Sequence, residues 1–134
     1  IGAKSAMVIA SNGAWKNLRK LSLANNILGD KGGEAIGGST TWTKLEELWL
    51  GNNQIGDRGA LEIASNITWK SLRKLCLKDN QIGEQGMLGI SKNTTWKHLA
   101  VLNLWGNQMN KTAEQALLNH SLFGTTVKLA PEKN

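Results

Sequence analysis

The sequence predicts an α/β solenoid, in which each coil of the chain contributes one short strand and one short helix. Two repeating patterns carry this prediction. A tryptophan recurs every 27 residues, at Trp15, Trp42, Trp69 and Trp96. Three residues after each tryptophan begins the string L-x-x-L-x-L-x-x-N, which reads Leu18-Leu21-Leu23-Asn26, Leu45-Leu48-Leu50-Asn53, Leu72-Leu75-Leu77-Asn80 and Leu99-Leu102-Leu104-Asn107. Four copies at one fixed period indicate stacked units that share a continuous core.

The L-x-L segment of each unit is predicted to be a strand. Side chains alternate between the two faces of a strand, so the two leucines point into the core and the intervening residue points away from it. The asparagine after each strand is predicted to be structural. Its amide can satisfy turn backbone groups of its own coil and of the adjacent one.

The second half of each unit is predicted to be a short helix. A glycine is followed by an acidic residue, at Asp30, Asp57 or Glu84, whose carboxylate can accept from the free N–H groups of the first turn. Small residues stand four positions before an apolar one, on the same helical face. They are Gly32, Gly59, Gly86 and Ala113, and we expect them to let each helix lie close against the sheet.

These strings, followed by N-x-I-G-D-x-G-A as in residues 53–60, resemble the leucine-rich repeats of the ribonuclease-inhibitor type, which also occur in intracellular innate-immune receptors. The resemblance covers nearly the whole chain. It implies a right-handed leucine-rich-repeat solenoid, a curved horseshoe segment with a parallel sheet on the concave side and short helices on the convex side. The main departure is the tryptophan ahead of each strand, which we interpret as a stacked apolar column closing the loop after the helix.

We predict a single leucine-rich-repeat domain over residues 1–134. It comprises a partial repeat 1–14, repeats 15–41, 42–68, 69–95 and 96–122, and a C-terminal cap 123–134. In the cap, Phe123 takes the tryptophan position, Leu129 takes the second leucine, and Pro131 should stop strand pairing because it has no N–H. Residues 1–14 lack a strand, so we expect either a fragment of a longer array or a mature product. Its uncapped N-terminal edge is the predicted site of self-association or of the missing repeats.

Composition narrows the class of protein. Sixteen basic against ten acidic residues leave a net charge of +6 in 134 residues, and no apolar run approaches the length of a membrane span. Cys76 is the only cysteine, so an intramolecular disulfide is impossible and a reducing compartment is favoured. We therefore expect a cytoplasmic protein without membrane contact, or a secreted bacterial effector that acts inside a host cell.

Two tryptophans outside the 27-residue column, Trp49 and Trp105, fall on the predicted concave face. Strand spacing and rise place them roughly 12 Å apart. Exposed tryptophan beside a cation and polar donors is typical of an interface hot spot. The predicted partner-binding residues are Trp49, Trp105, Cys76, Lys78, Asn103, Glu47 and Lys74. The alternative is that the two rings only cover neighbouring aliphatic stems or contact another copy of the chain.

The charged residues before and within the strands alternate in sign from one coil to the next. Two columns, Arg19-Glu46-Arg73 and Lys20-Glu47-Lys74, become plus-minus-plus ladders in a parallel in-register sheet. The sequence contains no RNA- or DNA-binding motif, so we expect the positive charge not to serve nucleic acid.

The sequence contains no catalytic constellation. Residues 32–39 have phosphate-loop spacing but carry glycine where the phosphate-binding lysine must stand. No cysteine and histidine cluster has metal-ligand spacing, so we predict no metal, no cofactor and no small-molecule substrate. Cys76 is interpreted as a lone surface thiol, since no histidine shares its face.

Two functional classes remain open. The first is a non-enzymatic module that binds another protein through its concave sheet. The second is the targeting fragment of a larger enzyme or receptor, such as a ubiquitin ligase or a nucleotide-dependent receptor, with its catalytic domain elsewhere. A purely structural spacer is a third possibility, which requires Trp49 and Trp105 to be dispensable for every interaction.

Overall fold

The computed structural model describes residues 1–120 and the backbone of residues 126–128, and it confirms the predicted α/β solenoid. The helices are α1 (Ala3–Ala10), α2 (Gly29–Gly37), α3 (Asp57–Ala64), α4 (Glu84–Ser91) and α5 (Lys111–Leu118). The strands are β1 (Lys20–Ser22), β2 (Glu47–Trp49), β3 (Lys74–Cys76), β4 (Val101–Asn103) and β5 (Thr126–Lys128). They form one parallel sheet in sequence order, β1-β2-β3-β4-β5.

The first four strands keep the register of the repeat. Leu48 of β2 pairs with Leu21 on one side and Leu75 on the other, and Leu75 pairs with Leu102. Leu48 and Leu75 are fully buried, in one core with the isoleucines of the helices, Ile36, Ile63 and Ile90. Each such side chain contributes about 1.5 to 3 kcal/mol when buried. Residues 27 positions apart in sequence are thus neighbours across the sheet.

The fifth strand departs from that spacing. Leu102 of β4 pairs with Val127, 25 positions later, so the expectation that Leu129 occupies this register is wrong. The chain between β4 and β5 is two residues shorter than in the earlier coils, and a fixed 27-residue count therefore overshoots the strand. The other cap features that the sequence suggested, at Phe123, Pro131 and the polar residues 132–134, lie outside the described residues.

The tryptophan column is confirmed as an apolar stack, with an exception at its N-terminal end. Trp42, Trp69 and Trp96 are fully buried, whereas Trp15 remains 39% exposed. The three buried indole N–H groups find no acceptor among the described residues. Leaving such a donor unpaired costs about 1 to 3 kcal/mol, so these side chains stabilise the fold through the apolar area of their rings.

The asparagine column after the strands is confirmed as structural. The Nδ2 of Asn53, which is fully buried, donates to the carbonyls of Leu50 (3.2 Å) in its own coil and Leu23 (2.8 Å) in the preceding coil. The Oδ1 of Asn80 accepts from the backbone N–H groups of Asn53 (2.9 Å) and Ile55 (3.0 Å). Each asparagine therefore ties its own turn to the coil before it.

A second polar column closes the loops after the helices. The Nδ2 of Asn66 donates to the carbonyl of Ser39 (2.9 Å) in the preceding coil, and its Oδ1 accepts from the N–H of Trp69 (3.0 Å). Asn93 repeats the bond to the tryptophan N–H. His120 occupies the same column, and its Nε2 donates to the carbonyl of Asn93 (2.6 Å). Histidine thus replaces asparagine as the inter-coil donor.

The acidic residues of the helices cap the helix of the following coil. The Oδ1 of Asp30, in the first turn of α2, accepts from the N–H groups of Gly56 (2.8 Å) and Gly59 (2.9 Å), which lie at the start of α3. The expectation that each carboxylate caps its own helix is therefore wrong for Asp30. Stacking supplies the acceptor, because the free N–H groups of one helix lie beside the first turn of the preceding one.

The same arrangement recurs one coil later. The Oδ1 of Asp57 accepts from Gly83 (2.8 Å) and Gly86 (2.9 Å) at the start of α4. A Cβ at Gly86 would lie 2.8 Å from that Oδ1 and 2.7 Å from the Cγ2 of Ile82. The small residue therefore makes room for the carboxylate as well as for close packing.

Helices α2 and α5, on either side of α3 and α4, start differently because the preceding coil has no aspartate at the capping position. Ala3 stands at the equivalent position before α2, which begins at Gly29 with a φ of 63°. Glu84 stands at the equivalent position before α5, where Asn110 caps its own helix by accepting from the N–H of Ala113 (2.9 Å). Asparagine at the N-cap thus replaces the cap that the preceding coil supplies to α3 and α4.

Replacing Asp57 by Ala is expected to lower the free energy of unfolding by about 1 to 2 kcal/mol, because two N–H groups at the start of α4 lose their acceptor. Urea unfolding followed by circular dichroism measures the change. Glu62, exposed on α3, is the matched control, and Glu62→Ala should change stability by less than about 0.5 kcal/mol. Equal effects of the two substitutions would contradict a capping role for Asp57.

Candidate functional site

The sheet face turned away from the helices, which we call the concave face, carries all seven residues that the sequence predicted for partner binding. Glu47 and Lys74 are neighbours in register on β2 and β3. Trp49, Cys76 and Asn103 form the next row across β2, β3 and β4. Lys78 and Trp105 each lie two residues beyond the end of a strand. The repeat register therefore brings the predicted residues onto one surface, and it does not itself test whether they bind a partner.

Glu47 is the electrostatic centre of this face. Its Oε2 lies 2.9 Å from the Nζ of Lys20, and its Oε1 lies 3.9 Å from the Nζ of Lys74. The hydrogen bond from Lys20 is the main cause that lowers the pKa of the Glu47 carboxyl, and the charge of Lys74 adds to it. The same hydrogen bond raises the pKa of Lys20. The predicted plus-minus-plus ladder is thus confirmed at Lys20, Glu47 and Lys74.

A parallel ion pair lies in the adjacent column. Arg19 Nη1 is 3.2 Å from Glu46 Oε2. Exposed pairs of this kind contribute little to stability, about 0 to 1 kcal/mol each. What these pairs change is the charge of the surface. They neutralise the charged residues of β1 and β2, and they leave the aromatic rings accessible.

Trp49 is the most exposed large apolar side chain of strands β1 to β4, at 40%. Its indole lies near the Glu47 carboxylate and is the weakest of the causes that lower the pKa of that carboxyl. Apart from its N–H group, the exposed surface of the ring is apolar. A large rigid ring loses little conformational entropy when a partner covers it.

Trp105 is half-buried and lies beside a lysine. The Nζ of Lys78 is 5.9 Å from the centre of the Trp105 ring, within the range of a cation–π contact. The backbone N–H of Trp105 donates to the Oδ1 of Asn103 (3.0 Å). Asn103 therefore supports the loop that carries Trp105, and Lys78 presents its ammonium group next to the ring.

Cys76 differs from the expectation. The cysteine is free but only 6% exposed, so its interpretation as a surface thiol is wrong. It pairs in register with Trp49, and its Sγ lies 3.8 Å from the position that a Cβ would take at Gly51, which is itself buried. Trp49 and Lys78 have larger side chains than Cys76, so Cys76 lies below the exposed surface of this face.

Sequence reasoning placed Lys20 in the charge ladder but not among the binding residues. Lys20 is nevertheless the closest cation to Glu47, at 2.9 Å against 3.9 Å for Lys74. The 27-residue register alone makes both lysines equivalent neighbours of Glu47. Only side-chain geometry separates them.

The arrangement suits recognition better than catalysis. A carboxyl that works as a general acid at neutral pH needs a raised pKa, and the pKa of Glu47 is lowered. Within residues 1–120 and 126–128 no cluster of three or more histidine, cysteine, aspartate or glutamate side chains could hold a metal ion. In the same part of the chain, no helix has the length and apolar character needed to cross a membrane.

A second exposed apolar surface lies at the N-terminal edge of the solenoid. Met7 (58% exposed), Val8 (71%) and Trp15 (39%) have no preceding coil packed against them in this chain. The residues equivalent to Trp15 in later coils are fully buried. This edge is distinct from the concave face, and Trp15 offers a comparison of equal exposure to Trp49.

Comparisons with known proteins agree with this architecture. The family model described as Leucine Rich repeat matches residues 16–37, 43–64 and 70–91. The chain is similar in structure to leiomodin-1 Actin-Binding Site 2, with a TM-score of 0.70 and 19% identity, covering 96% of this chain and 79% of that one. It is also similar to the tropomodulin C-terminal domain of Caenorhabditis elegans, with a TM-score of 0.71 and 14% identity, covering 98% and 84%. A search of curated proteins finds no match.

Replacing Lys20 by Gln is expected to raise the pKa of the Glu47 carboxyl toward its ordinary value of 4.5, because the largest cause of its lowering is removed. The carboxyl ¹³C shift of Glu47 during a pH titration measures this. A carboxyl whose pKa is lower in the folded chain stabilises it above the unfolded pKa, and this stabilisation is lost as pH falls through the folded pKa.

The stability difference between the native chain and Lys20→Gln should therefore shrink as the pH falls through the folded pKa of Glu47. Lys16→Gln removes the same charge from an exposed site outside the ladder and serves as the control. An unchanged pKa of Glu47 in Lys20→Gln would contradict the pairing.

Proposed function

Because the chain belongs to the leucine-rich-repeat proteins, we propose that it is a non-enzymatic module that binds another protein through its concave face. The observation that carries the proposal is the exposure of Trp49, which stands on β2, the second strand of the parallel sheet. Interfaces are enriched in tryptophan, and their central aromatic residues supply most of the binding energy.

The surface offers a cluster of three side chains for such an interface: Trp49, Lys78 and Trp105. Repetition fixes the buried leucines and leaves the outward positions free to differ from coil to coil. The row that contains Trp49 holds four other residues across the five strands, namely Ser22, Cys76, Asn103 and Lys128. One large ring in a row of otherwise small or polar residues serves no need of the repeat itself, and this favours recognition.

We expect the protein to act in a reducing compartment inside the cell. Cys76 is a free thiol. A targeting role within a larger enzyme or receptor would use the same concave face.

The test is a binding experiment with three forms of the chain: native, the double variant Trp49→Ala/Trp105→Ala, and Trp15→Ala. Proteins retained from lysate by immobilised chain are compared between the three, and purified actin is included as a defined candidate because leiomodin-1 is described as having an actin-binding site. We expect the double variant to lose at least about tenfold in affinity for the retained partner, while Trp15→Ala retains it.

Stability and association state separate the possible outcomes. Both tryptophans have exposed ring surface, so the double variant should unfold at a urea concentration close to that of the native chain. Loss of binding in Trp15→Ala, together with a lower sedimentation coefficient, would instead assign the interaction to self-association through the N-terminal edge. Equal binding by all three forms would contradict the proposal.

A further inference from the structure

From the charge and spacing of the Trp49, Lys78 and Trp105 cluster, we infer that the concave face binds an extended acidic segment of the pattern apolar-x-acidic-x-apolar. This inference rests on the proposed function and specifies the chemistry of the partner. Its elements are an ammonium group that lies beside the Trp105 ring without an ion pair among the described residues, an uneven distribution of charge across the sheet, and a backbone spacing of the two tryptophan positions that matches an extended peptide.

Lys78 is an exposed cation of this face that makes no ion pair with the described residues. Lys20 and Lys74 both lie within 4 Å of Glu47. Among the described residues no carboxylate lies within ion-pair distance of Lys78, whose recorded contact is the face of Trp105. An ammonium group beside an aromatic ring and open to solvent can accept a carboxylate from a partner without first breaking an ion pair within the chain.

Charge is distributed unevenly along the sheet. Arg19 and Lys20 of the first coil pair with Glu46 and Glu47 of the second, and both pairs are in contact. The third coil adds three basic residues and one acidic residue, which are Arg73, Lys74, Lys78 and Asp79. The outward positions of the fourth coil carry no charge; they are Val101, Asn103, Trp105 and Gly106. The β3 and β4 half of the face is therefore positive and complements an acidic partner.

The spacing of the rings favours an extended peptide. Trp49 and Trp105 are separated by two strands and two residues, roughly 12 Å, and Lys78 lies between them. In an extended chain the residues i, i+2 and i+4 share one face and span about 13 Å. Apolar side chains at i and i+4 can therefore reach the two rings while an acidic side chain at i+2 reaches Lys78.

Single-stranded nucleic acid also combines negative charge with stacking surfaces. The Glu47 carboxylate argues against it, because it lies on this face between Lys20 and Lys74 and has a lowered pKa, so that it is charged at neutral pH. A continuous phosphate backbone crossing the face would meet that charge. A peptide can place its single carboxylate at Lys78 and an uncharged residue near Glu47.

The experiment is an NMR titration of the ¹⁵N-labelled full chain at physiological salt, followed at the indole N–H signals assigned with Trp49→Phe and Trp105→Phe. The probes are a capped peptide of leucine, serine, glutamate, serine and leucine, the same peptide with glutamine or lysine at its centre, and an oligothymidylate. We expect the glutamate peptide to shift both signals and to bind at least about threefold more tightly than the glutamine peptide.

Lys78→Gln should remove the preference for glutamate over glutamine, whereas Lys92→Gln, which removes an exposed lysine at the end of α4, should leave it intact. Equal affinity of the glutamate and glutamine peptides, with both indole signals shifted, would overturn the acidic specificity and leave concave-face binding standing. Absence of any shift at Trp49 and Trp105, or tighter binding of the oligothymidylate, would also overturn the inference. Failure of the proposed function itself is recognised separately, by equal partner retention in the native chain and the Trp49→Ala/Trp105→Ala variant.

Discussion

The structure depends on hydrogen bonds that buried asparagine amides make between consecutive coils. A short strand that ends in the interior leaves turn carbonyls and N–H groups away from water, and such groups must find partners. The side chain of Asn53 donates to a carbonyl of the coil before it, and its backbone N–H donates to the amide oxygen of Asn80 in the coil after it. Leucine burial supplies most of the favourable free energy, but it is not directional. The amides set the register in which the leucines meet.

The helices also depend on hydrogen bonds between consecutive coils, because the preceding coil caps their N-termini. Asp30 and Asp57 each complete the helix that follows, so a coil is fully satisfied only when its neighbour is present. This makes the solenoid a one-dimensional assembly in which each coil depends on its neighbours, and α5, which no aspartate of the preceding coil caps, uses its own Asn110 instead. A backbone held in this way keeps the outward side chains at fixed spacing. We therefore expect the surface formed by Trp49, Lys78 and Trp105 to need little ordering in the proposed interface.

Much of this architecture is readable from the sequence, because the 27-residue period fixes which residues become neighbours. The paired leucines, the buried tryptophans, the asparagine column and the ladder around Glu47 all follow from that period. Three features do not. The aspartate caps join residues 26 and 29 positions apart, which only the stacking of helices brings together. Cys76 is covered by larger neighbours whose rotamers no spacing predicts. The register of β5 shifts by two residues, because the chain between β4 and β5 is shorter than in the earlier coils.

Native-state hydrogen exchange on Asn80→Ala tests the central claim most directly. The Oδ1 of Asn80 accepts from the N–H groups of Asn53 and Ile55, both in the preceding coil. The account predicts that these two amides lose their protection selectively and that the free energy of unfolding falls by more than about 2 kcal/mol, because buried donors and carbonyls lose their partners. Unchanged protection at Asn53 and Ile55, or a loss confined to the coil that contains position 80, would contradict it.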